Sequence, residues 1–150
     1  MDLTKADEII DQYEIAPHSL IAVLQDVQEE WQYLPREVLD HVAGRLDVPI
    51  SQVFRVATFY SAFSLQPRGR HLISVCTGTA CHVRGSGRLL ERLQDLLQVG
   101  PGETTTDKQF SLETVHCMGC CALAPAVRID DHVFAQVGVG QLEALVRECE

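Results

Sequence analysis

The chain has 150 residues, enough for one ordinary domain or for a small domain with a helical appendage. Apolar residues make up 46% and charged residues 22%, which suits a globular protein with a real core and argues against disorder. Twelve basic against 21 acidic side chains leave a net charge of −9, a poor footprint for nucleic acid or an anionic membrane.

The opening "MDLTKADEIIDQYE" has neither a basic nor an apolar segment of the kind a signal peptide carries. No run approaches the roughly 18 apolar residues of a membrane span. The expectation is a cytoplasmic protein without direct membrane insertion. Thiols stay reduced in that compartment, so six cysteines point to metal or redox chemistry more than to disulfides.

In chain order, a short helix is predicted near residues 4–13. Leu20, Leu24, Val27, Trp31 and Leu34 then recur at helical spacing. "LPREVLDHVAGRLDV" places Pro35 at a first helical position and aligns Val38, Leu39, Val42 and Leu46 in a stripe. "PISQVFRVATFYSAF" carries Ile50, Val53, Phe54 and Ala57 on a further helix. These segments predict an N-terminal helical bundle over 1–65, and "LQPRGR" reads as a linker.

After the linker the period changes. "HLISV" predicts a strand and "SGRLLERLQDLLQ" an amphipathic helix capped by Ser86. "QFSLETVH" predicts a second strand, "AVRID" and "HVFAQV" a hairpin turning at Asp130 and Asp131. A last helix carries Val139, Leu142, Val146 and Cys149 on one stripe. The order β-α-β, then β-β-α, is the layout of a thioredoxin-like domain with a mixed sheet, over 66–150. The fold class is thus α+β or α/β, a helical domain followed by a thioredoxin-like one.

Cys76 ends the first strand, with Cys81 in the loop "CTGTAC"; Cys117 follows the second strand, with Cys121 in the loop "CMGCC". Parallel neighbouring strands would bring both loops to one end of the sheet, where four thiolates can converge. Gly78 and Gly119 are expected to allow turns with positive φ and to let N–H groups approach sulfur. The pattern C-x4-C, 35 residues, C-x3-C suits a [2Fe–2S] cluster, whose two irons each take two cysteine sulfurs, although it is not the plant-type spacing. The residues alone leave two further chemistries open: a structural zinc site on the same cysteines, with His82 and His116 nearby, and a dithiol pair at Cys117 and Cys120. The dithiol reading lacks a helix after the first thiol to lower its pKa, because "CMGCCALAP" leads to Pro125 and a strand.

"LQDVQEEWQYLP", "VFRVATFYSAFSLQPRGRH", "VCTGTACHVRGS" and "ETVHCMGCCALAPAV" together resemble the thioredoxin-like [2Fe–2S] ferredoxin subunits of respiratory complex I, of NAD(P)-linked and electron-bifurcating hydrogenases and of NAD-linked formate dehydrogenases. The resemblance covers nearly the whole chain. It implies that Cys76, Cys81, Cys117 and Cys121 bind the cluster, and it leaves Cys120 and Cys149 without a family role. It further implies a non-catalytic electron-transfer subunit whose partners are a flavin-bearing, NAD(P)H-binding subunit and further iron–sulfur or catalytic subunits, with the helical half as docking element. All-cysteine ligation on an acidic protein predicts a low potential, near the roughly −400 mV of plant-type ferredoxins.

The remaining signals are expected to be structural. "HVAGRLDVPISQVFRVATF" has the cadence of a helix-turn-helix, but its second helix offers few groups for bases and phosphates on a strongly acidic chain. "RGSGRLL" and "GVGQLEA" do not complete a dinucleotide fingerprint. Arg68, Arg70, Arg84, Arg88 and Arg92 read as a solvated basic surface. Trp31, Tyr33, Phe59, Tyr60 and Phe63 read as core or docking residues.

Overall fold

The computed structural model describes residues 3–149. The chain divides into two compact units between Pro67 and Arg68.

The first unit is helical: α1 (Thr4–Ile10), α2 (Leu20–Trp31), α3 (Arg36–Arg45) and α4 (Ile50–Phe59), with a 3-10 turn at Pro17–Ser19. Ile10, Leu24, Val27, Val38, Leu39, Val42 and Val53 are fully buried, so the apolar stripes face one another in a common core. Helix α2 stops where Gln32 turns left-handed (φ 63°), which puts Leu34 past the helix and not on its stripe; Leu34 is buried all the same. Pro35 and Pro49 are the residues before α3 and α4, one position earlier than the first helical residue predicted for Pro35. The aromatic residues divide. Phe63 is buried and Trp31 packs against the core, while Phe59 and Tyr60 are exposed.

The second unit is a five-stranded sheet in the order β2-β3-β1-β4-β5. Its strands are β1 (His71–Cys76), β2 (Glu103–Thr104), β3 (Phe110–Val115), β4 (Val127–Ile129) and β5 (His132–Phe134), and its helices α5 (Thr79–Val83), α6 (Ser86–Leu97) and α7 (Val139–Glu148). Strands β1 and β3 pair in parallel, His71 opposite Phe110 through Cys76 opposite Val115, and the other pairings are antiparallel. The sheet is therefore mixed, and the crossover between its two parallel central strands is the segment carrying α5 and α6. Ile73, Val75, Leu112 and Val127 pack with Leu89 and Leu93 of α6 and Leu142 of α7.

Two local features differ from the sequence expectation. The short strand β2 escaped the sequence pattern, because two residues are too few to show a period. Ser86 is the first residue of α6 and Gly85 (φ 100°) is its cap; the Ser86 hydroxyl is buried and has no partner. Of the five arginines, Arg70, Arg84 and Arg88 are exposed, Arg68 pairs with Glu113, Arg92 pairs with Glu143, and Arg84 donates to the Ala124 carbonyl. No helix among the described residues is long and apolar enough to cross a membrane.

Candidate metal centre

Parallel pairing of β1 and β3 ends with Cys76 opposite Val115, so the segments that leave both strands start side by side. The β1 segment turns at Gly78 into α5, which holds Cys81. The expected loop position for Cys81 is thus corrected to a short helix, with His82 N–H donating to the Gly78 carbonyl at 2.8 Å. The β3 segment runs through Cys117, Gly119 and Cys120 into a single 3-10 turn, Cys121–Leu123, before β4. A full helix does not follow Cys117.

These segments enclose a cavity of about 610 Å³ whose wall includes Cys76, Cys81, Cys117, Cys120, Cys121 and Arg84. Cys76 and Cys81 are only 3% and 2% exposed, whereas Cys117 and Cys121 are exposed and Cys120 is half-buried. Among the described residues, no three His, Cys, Asp or Glu gather around one point as a single metal ion requires. The cysteines instead form pairs. Cys76 and Cys81 act on each other's acidity, and Cys117 acts on that of Cys121.

Each thiol's acidity follows from these contacts. Burial pushes Cys76 up, but backbone hydrogen bonds from Gly78 and Met118 and the thiol of Cys81 hold it below the ordinary thiol value. Burial pushes Cys81 up, and so do its hydrogen bond to Cys76 and the charges of Cys76 and Cys120, against a backbone bond from Ala126. Cys121 is raised first by the charge of Cys117 and then by their hydrogen bond, with burial, Cys76 and Cys120 adding to it. The Gly119 N–H donates to Cys117 Sγ at 3.2 Å.

The glycines serve different ends. Gly119 has the expected positive φ, 79°. Gly78 does not: its φ is −60°, and the expectation of a left-handed turn there is corrected. It is small because it is crowded, since a Cβ would lie 2.8 Å from the His116 carbonyl oxygen.

Residues 6–150 match the family pattern described as thioredoxin-like [2Fe–2S] ferredoxin. The chain belongs to that family. Among its relatives, the HndA component of the NADP-reducing hydrogenase of Solidesulfovibrio fructosivorans is 40% identical over 129 residues, 86% of this chain and 75% of the relative. A component of the NADH-quinone oxidoreductase of Rickettsia bellii is 34% identical over 148 residues, 97% of this chain and 89% of the relative. The crystal structure of an air-oxidised NAD+-reducing [NiFe]-hydrogenase superposes with a TM-score of 0.74 at 22% identity, over 87% of this chain but only 22% of that longer one, which supports the fold.

The donor set of this thioredoxin-like ferredoxin fits the cofactor of its family. Each iron of a [2Fe–2S] cluster needs two protein sulfurs beyond its bridging sulfides, and the cavity offers two thiols from each of two loops. Neither histidine is needed for this. Cys149 lies elsewhere: it follows α7 beside a smaller cavity of about 310 Å³ shared with His71 and Asp130, at the opposite end of β1 from Cys76. Its thiol is half-buried, donates to the Leu145 carbonyl at 3.3 Å, and is pushed up by burial and by Asp130 and Glu148. It behaves as a packing residue.

Arg84 is a site residue that the sequence reading did not include. It lies one helical turn after Cys81, and helical spacing through "CHVR" is the signal that places both on one wall. The backbone donors from Gly78, Met118 and Ala126 carry no such signal, because any residue type supplies an N–H.

Proposed function

We propose that this chain is the electron-transfer subunit of a multisubunit NAD(P)H-linked oxidoreductase, and that Cys76, Cys81, Cys117 and Cys121 bind its [2Fe–2S] cluster. The observation that carries the ligand assignment is the pairing of these thiols across two loops of a single cavity. The names of relatives at 40% and 34% identity, subunits of a hydrogenase and of a quinone oxidoreductase, support the setting. The partner is a flavin-bearing subunit that reacts with NAD(P)H, and residues 1–65 are the docking element beside a cluster domain of residues 66–150. The compartment is the cytoplasm.

When bound, the cluster supplies a one-electron couple. The chain's own residues set the conditions for it. Cys76 and Cys81, which are buried, would hold the cluster from the interior, and Cys117 and Cys121, which are exposed, would hold it from the side a partner can reach. Hydrogen bonds from Gly119 to Cys117 and from Ala126 to Cys81 stabilise charge on sulfur, which is one determinant of potential. The thiols must lose their protons to bind metal, and the backbone donors at Cys76 favour that loss.

Low-temperature EPR of anaerobically purified protein, before and after dithionite, tests the proposal together with iron and acid-labile sulfide assays. A silent oxidised state, a rhombic S = 1/2 signal on reduction and equal iron and sulfide are expected. Stoichiometric zinc without iron or sulfide would overturn it. Co-purification with a flavin-containing subunit tests the assignment of the partner.

A further inference from the structure

Two irons leave four positions for protein sulfur, yet five cysteines line the cavity. Cys120 is the fifth. Its half-buried side chain packs with Cys76, Cys81, Ala124 and Ala126, whereas the adjacent Cys121 is exposed. It is close enough to Cys81 and Cys121 for its charge to be felt at both thiols.

The two adjacent cysteines differ in their distance from Cys117. Three residues separate Cys121 from it and two separate Cys120. A C-x2-C spacing is itself used to hold iron–sulfur clusters, so either pair can close a chelate. The local backbone permits the change. Cys120 (φ −112°, ψ 47°) precedes the 3-10 turn, and only its carbonyl is tied to that turn, by Leu123 N–H at 2.9 Å. Gly119 faces open space.

Resting on the ligand assignment proposed above, we infer that Cys120 is a reserve ligand, which takes the iron position next to Cys117 whenever Cys121 is unable to hold it. In the exchange one iron–thiolate bond replaces another. The Cys120 proton is released, the displaced Cys121 sulfur takes one up where it is present, and no electron is transferred. The arrangement places the reserve beside an exposed ligand.

The full chain, Cys121→Ala, Cys120→Ala and the double variant should be reconstituted with iron and sulfide in parallel. Alanine is used because a serine oxygen can itself bind iron. The readouts are iron and sulfide content, EPR and visible circular dichroism, and mass-spectrometric mapping of thiols alkylated in the native state. In the unmodified chain and in Cys120→Ala, roughly two irons and two sulfides are expected. Cys120, where present, should be alkylated and Cys121 protected. Cys121→Ala should keep its cluster with shifted EPR and dichroism, and Cys120 should become protected. The double variant should lose most of its iron and sulfide.

Loss of the cluster from Cys121→Ala to the level of the double variant would overturn the reserve role and leave the ligand assignment standing. Protection of Cys120 with alkylation of Cys121 in the unmodified chain would overturn the assignment itself, and the reserve role with it. The protection pattern of Cys121→Ala decides the matter even where the double variant fails to fold.

Discussion

A Cβ on Gly78 would sit 2.8 Å from the carbonyl oxygen of His116, a backbone atom of the other cysteine loop. No side chain can rotate away to relieve that contact. Gly78→Ala should therefore push the two loops apart by a fraction of an ångström although its φ of −60° suits alanine. The expected cost is about 1–3 kcal/mol, as for other overpacked sites. Cluster content should fall with it, read by iron and sulfide per chain and by urea unfolding. A variant with full occupancy and unchanged stability would show that the loops have slack.

Gly119 offers the complementary case. Its φ is 79° and nothing lies within 4 Å of a would-be Cβ, so Gly119→Ala strains the backbone without a clash. About 1–2 kcal/mol is expected from the left-handed conformation. Gly119→Asn should recover part of it, since asparagine tolerates that region better. The Gly119 N–H that donates to Cys117 Sγ survives in both variants. Cluster content should then hold where Gly78→Ala loses it.

These two glycines also mark how far the sequence can be read. Cys76 and Cys117 fall at the ends of neighbouring parallel strands because "HLISV" and "QFSLETVH" carry the β signal and the intervening helix demands a crossover. What turns the segment holding Cys81 from loop into helix is a tertiary constraint. Residues 79–83 are too few to show a helical period, and α5 is set by what packs around it. The ion pairs of Arg68 and Arg92 are hidden for the same reason, since Glu113 and Glu143, their partners, are far away in sequence. The role of Gly78 is legible only as smallness. Whether a glycine is required for φ or for space depends on a neighbour in another loop.

In the helical unit, the Asp7 carboxylate accepts from His41 Nε2 at 2.7 Å and also from Arg45. His41 is the main cause, with Arg45 adding to it, of an Asp7 pKa held below 3.8 in spite of partial burial. A carboxylate whose folded pKa is depressed stabilises the fold above its unfolded pKa and loses that contribution as pH falls through the folded one. The stability difference between the unmodified chain and Asp7→Asn should thus shrink as pH falls below about 4. Urea midpoints followed by the fluorescence of Trp31, the single tryptophan, would check this. A gap that widens as pH falls below about 4 would contradict the pairing.

Arg84 brings a positive charge to the cavity wall while its guanidinium donates to the Ala124 carbonyl at 3.3 Å. A nearby cation favours the reduced, more negative state of any centre held there. Arg84→Gln should lower the midpoint potential by about 20 mV or less, because the side chain is exposed and solvent weakens its field. The difference should shrink further as salt is raised. Spectroelectrochemical titration at two ionic strengths would read both effects. An unchanged potential with reduced cluster stability would make Arg84 a tether between α5 and the Cys121–Ala124 segment and nothing more.

Trp31 packs against the core of the helical unit, whereas the cysteines belong to the unit that begins at Arg68. Two signals can therefore report on two cores: tryptophan fluorescence on the first, visible absorbance and sheet dichroism on the second. Metal bound to the folded state alone stabilises the unit that binds it. Removal of iron should lower the melting transition of the sheet unit and leave the Trp31 midpoint in place. For a unit of this size each kcal/mol lost shifts the midpoint by about 4–8 °C, so a fall on the order of 10 °C is expected for the sheet. Leu93→Ala, a fully buried change in α6, should lower the sheet transition in holo and apo forms alike, by about 2–5 kcal/mol, again without moving Trp31. A single shared transition in the unmodified chain, shifted as one by either treatment, would show instead that the two cores unfold as a cooperative whole.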